Sequence, residues 1–292
     1  MHTPVLLKEV ITYLAPQNGK TYIDATFGGG NYSKAILDAA ECYVVAVDRD
    51  PEAEIRAASL TSHYIDRFQF ILTNFGNLKE FLPNIPFSGI VFDFGVSSFQ
   101  LDNAHRGFSF QTNGPLDMRM GSHGITAKEV VNTFSKEDLA IIIKTYGDER
   151  FARQISRAII QTRKHKTIET TFDLADVVRA VVPRCNKIDP ATKTFQAFRI
   201  FINDELREIH KALDAIINTV IQKKMSGISV ITIAFHSLED RTVKNWMHKL
   251  KEDSNISLFI DISKVIMPSK DELNRNPRSR SARMRAMKIG GS

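Results

Sequence analysis

The chain has few cysteines and no long apolar run among its 292 residues. The two cysteines, Cys42 and Cys185, lie far apart, match no zinc-ligand spacing and indicate a reducing compartment. No stretch approaches the roughly 18 uninterrupted apolar residues of a membrane span. The first residues lack the basic start and the small-residue cleavage site of a secretory signal. We therefore expect a cytoplasmic protein with no membrane contact and no metal site.

Several enzyme signatures are also missing. The sequence has no Gly-x-Ser-x-Gly turn, no phosphate-loop lysine motif and no His-Glu-x-x-His pair, so hydrolase, nucleoside-triphosphatase and zinc-peptidase functions have no support. The hydrophobic fraction of 43% provides a core for one large domain or two modest ones. The formal charge of +6 favours a polyanionic partner without proving one.

A predicted strand that runs into a glycine turn is the most informative feature present. Residues 21–25 are followed by Gly28-Gly29-Gly30, and a second predicted strand, 43–47, ends at Asp48. Glycine lets a ligand approach the backbone without a Cβ clash. An acid after the second strand can accept hydrogen bonds from the hydroxyls of a ribose. These residues predict a site for an adenosine-type cofactor at the carboxyl edge of a parallel sheet.

The details of the turn favour S-adenosylmethionine over a dinucleotide. The dinucleotide fingerprint needs a third glycine for close helix packing, and Ser33 stands at that position. Asp24, at the end of the first strand, would repel a pyrophosphate but suits the cationic amino-acid end of S-adenosylmethionine. Spacing alone does not exclude NAD.

The rest of the chain alternates between strands and helices, with one interruption. Four predicted strands separated by helices indicate a parallel α/β sheet covered on both faces, at 21–25, 43–47, 68–72 and 89–93. Helical spacing without a strand then follows, including one continuous helix predicted over 191–220. Strands return at 228–235 and 256–262. We expect a discontinuous sheet domain, 1–105 with 219–292, and an inserted helical domain, 106–218.

Further candidate residues lie near the carboxyl ends of the strands. Phe75 could stack on an adenine or belong to the core, and Asp93 could lie between methyl donor and acceptor or only cap a turn. Asp93 and Gln100 are candidates for cofactor or amine contacts. His236 could be a base, although a structural or substrate-positioning role is favoured. Ser237 is a reasonable helix cap, with Asp240 three residues later.

The carboxyl-terminal segment is basic. Cations are frequent after residue 274 and no acid follows Glu272. Two interpretations stay open: a solvated, frayed tail, or an arm that grips phosphates.

Motifs along almost the whole chain resemble the ribosomal RNA small-subunit methyltransferase H family, also called MraW. The matching segments are residues 2–7, 24–28, 48–51, 93–98, 100–102, 106–110, 115–120, 146–147, 194–200, 203, 205–206, 235–241 and 276–281. The resemblance implies a class I S-adenosylmethionine-dependent methyltransferase fold, Rossmann-like, with an inserted helical domain. It implies methylation of N4 of a cytosine in 16S rRNA of the small ribosomal subunit, and it allows a homodimer.

The resemblance also implies site residues. Cofactor contacts are expected at Gly30, Asn31, Tyr32, Asp48, Phe75, Asp93 and Gln100, with Asp93 as the candidate catalytic group. Substrate contacts are expected at Arg106, Phe108, His236, Arg278 and Arg280. The family usually has Gly-Gly-His-Ser where this chain has Gly-Asn-Tyr-Ser, so the role of the family histidine is in doubt at Tyr32.

Three rival functions are weighed against this one. A DNA amino-methyltransferase would usually carry two prolines after Asp93, and they are absent. An NAD oxidoreductase is disfavoured by Ser33. A catalytically idle RNA-binding or assembly factor is favoured by Asn31-Tyr32 but disfavoured by the presence of the other cofactor-site residues.

Overall fold

The computed structural model describes residues 4–184, 189–252 and 260–290. The chain divides into two compact units, Met1–Gly95 with Leu206–Ser292, and Val96–Glu205. We call them the sheet unit and the helical unit. Their bounds differ from the predicted 106–218 insertion, because the long helix that starts at Glu205 packs in the core of the sheet unit.

The sheet unit contains a seven-stranded sheet in the order β3-β2-β1-β4-β5-β7-β6. The strands β1 to β5 are parallel to one another, while β7 is antiparallel to both β5 and β6. The strands are β1 (Thr21–Asp24), β2 (Tyr43–Asp48), β3 (Phe68–Leu72), β4 (Phe87–Asp93), β5 (Ile228–Ala234), β6 (Ile260–Ile262) and β7 (Arg283–Ile289).

Helices connect the strands and form most of the helical unit. In chain order they are α1 (Leu7–Leu14), α2 (Asn31–Ala39), α3 (Pro51–His63), α4 (Ser98–Asp102), α5 (Ala127–Thr133), α6 (Lys136–Gly147), α7 (Ala152–Arg163), α8 (Thr171–Arg179), α9 (Thr192–Asn203), α10 (Glu205–Gln222), α11 (Ser237–Glu252) and α12 (Lys270–Arg275). Short 3₁₀ helices lie at Phe75–Glu80, Leu82–Asn84, Ala104–Arg106 and Pro277–Ser281.

Both faces of the sheet are buried. Successive residues of a strand point to opposite faces, so Ile23 and Tyr22 enter different cores. The Ile23 core includes Leu213 of α10 and Met247 of α11. The Tyr22 core includes Val10 of α1 and further residues of α2 and α3. Helices on both faces of a mainly parallel sheet confirm the predicted Rossmann-like α/β fold.

The helical unit has its own apolar core, whose buried members all lie between Phe108 and Phe198. Three of its helices, α4, α5 and α8, begin with a capping box. In α5 the Thr126 hydroxyl accepts the Glu129 backbone N–H, and the Glu129 carboxylate accepts the Thr126 backbone N–H. Thr170 and Asp173 form the same reciprocal pair at the start of α8.

The predicted continuous helix over 191–220 is wrong. Asp204 adopts a left-handed conformation with φ 51°, which ends α9 and separates it from α10. Asn203 fixes this break, since its amide nitrogen donates to the Met118 carbonyl and its oxygen accepts the Met120 N–H, both at 2.8 Å. Apolar spacing continues through the break and therefore conceals it.

Much of the predicted basic tail is a strand, which corrects the interpretation of a frayed tail for that segment. An arm that grips phosphates stays a prediction. In β7 the side chains of Met284, Ala286 and Ile289 are buried, while Arg283 is exposed. The predicted strand 256–262 is present as β6 from Ile260, and residues 256–259 lie outside the described residues. Arg278 and Arg280 precede β7 and are exposed.

Candidate active site

Three acids end strands at the carboxyl edge of the sheet: Asp24 ends β1, Asp48 ends β2 and Asp93 ends β4. β1 and β4 are neighbours at the point where the strand order reverses. Ligands of doubly wound sheets bind in the crevice outside such a reversal. The topology therefore brings the predicted residues of the sheet unit to the expected edge.

Asp24 is fully buried and holds the glycine turn in place. One carboxylate oxygen accepts the Ser33 hydroxyl at 2.7 Å and the Ser33 backbone N–H at 3.1 Å. The other oxygen accepts the Thr26 N–H at 3.3 Å. Burial raises the Asp24 pKa to about 6, and the nearby Asp48 carboxylate adds to the rise. Asp24 thus ties β1 to the first turn of α2.

Asp48 bridges the two sides of the turn. Its carboxylate accepts the Gly28 N–H at 2.7 Å and the Asp50 N–H at 2.9 Å, one on each oxygen. Burial is the main cause of its raised pKa. Each carboxylate oxygen has two lone pairs, so acceptor capacity is left for a pair of hydroxyl groups.

Gly30 adopts a conformation that few other residues tolerate. Its φ is 76°, and a Cβ built on it would lie 2.7 Å from the Phe27 ring. The Arg56 Nε donates to the Gly28 carbonyl at 2.8 Å and so also holds the turn. Asn31, the next residue, begins α2 and is only partly buried. The turn therefore needs glycine for steric reasons and presents its backbone at the sheet edge.

Phe75 follows β3 and begins a 3₁₀ helix. Its ring meets the rings of Phe92 and Phe94 at centroid distances of 5.9 and 6.0 Å. It is only partly buried. One side of the ring thus packs on the core, and stacking of an adenine on the ring stays a prediction.

Asp93 has an unusual environment at the end of β4. Its backbone N–H donates to the Thr26 hydroxyl at 2.6 Å, whereas its Oδ1 is buried and has no hydrogen-bond partner in the described part of the chain. Burial raises the Asp93 pKa well above its usual range, and the Asp24 and Glu239 carboxylates raise it further. An unsatisfied buried acceptor is costly, so this oxygen is a candidate for contact with a ligand cation or donor.

Tyr32 points into the protein. It is 4% exposed, and its hydroxyl donates to the Val5 carbonyl at 2.6 Å. The hydroxyl also interacts with the Asp93 carboxyl and lowers that group's pKa, by less than burial raises it. Tyr32 thus joins α2, the start of the chain and the end of β4. The sequence offers no signal for this contact, because Tyr32 and Val5 are 27 residues apart.

His236 caps α11, and the prediction that Ser237 caps it with Asp240 is wrong. The His236 Nδ1 accepts the Glu239 N–H at 3.3 Å, and the Glu239 carboxylate accepts the His236 N–H at 3.2 Å. The second Glu239 oxygen lies 3.1 Å from the His236 Nε2. The Nδ1 is therefore engaged by Glu239, whereas the Nε2 forms no hydrogen bond within the described part of the chain. The three-residue spacing from His236 to Glu239 is the signal that could have identified this pair.

Three predicted site residues lie in the helical unit. Gln100 is 5% exposed and forms a capping box with Ser97 at the start of α4. The Arg106 guanidinium donates to the carbonyls of Arg119 and Met120 at 3.0 and 2.9 Å. Phe108 is 7% exposed and belongs to the core. Local structural contacts therefore occupy all three, and their expected ligand roles stay predictions.

Comparison with known protein families identifies the family of the chain. The model of the MraW methylase family matches residues 1–289. The chain belongs to the MraW methylase family. This confirms the resemblance found in the motifs, and it makes the chain an S-adenosylmethionine-dependent methyltransferase.

Individual relatives agree over nearly the full chain. The Ribosomal RNA small subunit methyltransferase H of Wolbachia sp. subsp. Drosophila simulans (strain wRi) is 49% identical, over 98% of each chain. The protein of the same name from Rickettsia bellii (strain RML369-C) is 46% identical, also over 98% of each chain. Among solved structures, an rRNA methylase from Streptococcus thermophilus covers 100% of both chains at 12% identity with a TM-score of 0.44.

The described residues fit the cofactor of this family. The unpartnered Asp93 Oδ1, the remaining acceptor capacity of Asp48 and the Cβ-free turn at Gly30 suit a cationic adenosine derivative. Across the described residues, no helix is long and apolar enough to cross a membrane.

Proposed function

We propose that this MraW-family protein methylates the exocyclic N4 amine of a specific cytosine in 16S rRNA of the small ribosomal subunit. Relatives at 46–49% identity carry the name of a small-subunit rRNA methyltransferase, which supports the substrate class. Asp93, which ends β4 at the strand-order reversal with a buried, unpartnered carboxylate oxygen, carries the proposal.

The sheet unit would hold the cofactor at four points. Asp48 would accept the ribose hydroxyls, and Phe75 would present the open side of its ring to the adenine. Gly30 and Asn31 would offer backbone at close range, because no Cβ of residue 30 intervenes. When bound, S-adenosylmethionine supplies a methyl group on a positively charged sulfur. An amine lone pair can attack the methyl carbon and displace the sulfur. Gln100, from the helical unit, is our further proposed contact.

Asp93 would act on the amine. The N–C bond forms as the C–S bond breaks and sulfur keeps the electron pair, so the amine nitrogen becomes cationic and must lose one proton. A carboxylate whose pKa is raised by burial is a stronger proton acceptor than an exposed one. It needs to be ionised first, and a bound positive charge nearby favours that state. Asp93 would thus orient the amine and take its proton.

For the remaining predicted substrate residues we propose only general roles. Arg278 and Arg280 are exposed and would contact phosphates. Arg106 and Phe108 would shape the substrate-binding side of the helical unit from within, given their inward contacts. His236 would position the edge of the sheet through α11, because its Nδ1 accepts the Glu239 backbone N–H.

The deciding experiment is incubation with labelled S-adenosylmethionine and small ribosomal subunits that lack the modification, followed by mapping of the label. Label on N4 of one cytosine would support the proposal. Cofactor binding without transfer would point to another substrate form or a missing partner. The absence of both cofactor binding and methyl transfer would favour the idle RNA-binding or assembly factor. This is the alternative that the Asn31-Tyr32 departure suggests.

A further inference from the structure

The exposed face of α7 is purely basic among its charged residues. The helix contains Arg153, Arg157 and Arg163 and no acid. Arg153, Arg157 and Lys164, the residue that caps the helix, are exposed, whereas Arg163 is turned inward and donates to the Val131 carbonyl at 2.9 Å. We call Arg153, Arg157 and Lys164 the α7 basic face.

These three side chains share one line along the helix. An α-helix turns by about 100° per residue, so Arg153, Arg157 and Lys164 fall within a sector of about 40°. Lys164 keeps helical geometry, with φ −69° and ψ −24°. At about 1.5 Å of rise per residue, the three span about 16 Å. The opposite side of α7, which includes Ile155 and Ile159, is buried in the core.

The α7 basic face contrasts with other cations of the helical unit. Within the described ranges, none of its three members forms an ion pair, although each is exposed to solvent. Other cations of the unit are neutralised by neighbouring acids: Arg119 with Asp117, Lys128 with Glu169, Lys136 with Glu137, Lys144 with Asp148, Lys166 with Asp173, Arg179 with Asp189 and Arg199 with Glu205. Positive charge is thus left uncompensated along one helix face.

We propose that the α7 basic face binds the phosphate backbone of the RNA substrate. The inference rests on the proposed function and adds a named contact surface to it. Arginine and lysine side chains spaced along a helix can neutralise successive phosphates without reading sequence. Gln154 and Gln161, which are exposed beside the basic line, offer amide donors to the same backbone.

A polynucleotide fits this face better than a membrane does. A helix that lies on a lipid surface inserts its apolar side, and the apolar side of α7 is already buried within the unit. The exposed side carries cations and amides, the chemistry of phosphate positioning. An acidic protein of the ribosomal subunit is the competing partner, which the experiment below separates.

The test replaces the three cations with glutamine, which removes charge and keeps helix propensity. The variant Arg153→Gln/Arg157→Gln/Lys164→Gln is compared with Lys128→Gln/Lys136→Gln/Lys144→Gln. The control loses the same charge from the same unit, but at lysines that face acids. Binding of a 16S rRNA transcript is measured across salt concentrations. Binding of S-adenosylmethionine and methyl transfer to unmodified subunits are measured in parallel.

The α7 variant should lose at least about tenfold in RNA affinity, and its slope of log affinity against log salt should flatten by about 2 to 3. The control should keep the wild-type slope, and both variants should keep wild-type cofactor affinity. Equal slopes for the two variants would overturn the inference. So would unchanged RNA binding combined with lost transfer to subunits, because it would indicate a protein partner. A wild-type protein that binds neither S-adenosylmethionine nor the RNA and transfers no methyl group to subunits would overturn the proposed function itself.

Discussion

At the scale of single residues, the environment of Asp93 bears most directly on the proposed chemistry. Its Oδ1 is buried and has no hydrogen-bond partner among the described residues, and the interaction with the Tyr32 hydroxyl lowers its pKa by less than burial raises it. Replacement by asparagine keeps the size and removes the proton acceptor. We expect Asp93→Asn to lower methyl transfer by about 100-fold or more, a common effect for loss of a general base. Single-turnover transfer to unmodified subunits measures this.

Asp48→Ala provides the comparison for that variant. It removes the two carboxylate oxygens that would accept the ribose hydroxyls but leaves Asp93 in place. The affinity for the cofactor should therefore fall strongly, while the transfer rate at saturating cofactor should fall less. Calorimetric binding separates the two effects. If Asp93→Asn reduced cofactor affinity while transfer at saturation stayed normal, Asp93 would be a binding group and not a proton acceptor.

Asp24 makes stability depend on pH. Its pKa is about 6 in the folded protein against an ordinary value of 3.8, so the folded state holds one more proton between these values. The free energy of unfolding should therefore fall as pH rises through this window, by about 1.4 kcal/mol per pH unit. Asp24→Asn should decline less steeply than wild type, whatever its absolute stability, because only the raised pKa values of the other acids, Asp48 and Asp93, still contribute. Urea unfolding at several pH values between 4 and 6, a span of about two pH units, measures the difference between the two proteins.

Ser33→Ala is the matched control for this prediction. It removes one hydrogen bond to Asp24 but keeps the carboxyl group, so the decline with pH should persist. Identical pH profiles for wild type and Asp24→Asn would show that Asp24 does not titrate in this range.

At the scale of secondary-structure elements, the sequence predicted those strands and helices that local apolar patterns reveal. The β1 to β4 strands are short apolar runs bounded by turns, and the acids that end β1, β2 and β4 are visible in the sequence. β7 was missed because Arg283, Arg285 and Lys288 mask the buried positions between them. The Tyr32–Val5 contact and the break at Asp204 depend on tertiary hydrogen bonds, which local pattern does not report.

One acid accounts for two of the charges in β7. Asp240 is 6% exposed and accepts from the Arg285 Nε at 2.7 Å and from the Arg283 Nη1 at 3.2 Å. Asp240→Asn should destabilise the protein by about 2 to 3 kcal/mol, because it leaves the mostly buried Arg285 without its counter-charge. Urea unfolding at neutral pH provides the measurement.

Glu137→Gln is the control for the Asp240 variant. It breaks an exposed pair with Lys136 and should change the free energy of unfolding far less than Asp240→Asn does, because solvent screens the pair. Losses of equal size in the two variants would mean that the Asp240 pairs do not stabilise β7.

At the scale of the whole molecule, the chain builds the sheet unit from two distant segments and the helical unit from one. Buried residues of the two sheet cores come from Val5 to Phe94 and from Ile209 to Ile289. A chain that stopped before α10 would lack β5 and β7 and leave one edge of β4 unpaired. The sheet unit therefore needs its carboxyl-terminal half before it can close.

The helical unit has no such requirement. All buried residues of its core lie within Val96–Glu205, and its pairing of α6 with α7 and α9 uses that segment alone. A core supplied by one continuous segment is what an autonomous domain needs. We expect a fragment of residues 96–205 to be helical by circular dichroism and to unfold in one cooperative thermal transition. The variant Asn203→Ala in the same fragment should melt lower, because the Met118 and Met120 backbone groups lose their partner. A fragment that is helical but melts without cooperativity would show that its core forms only in the complete chain.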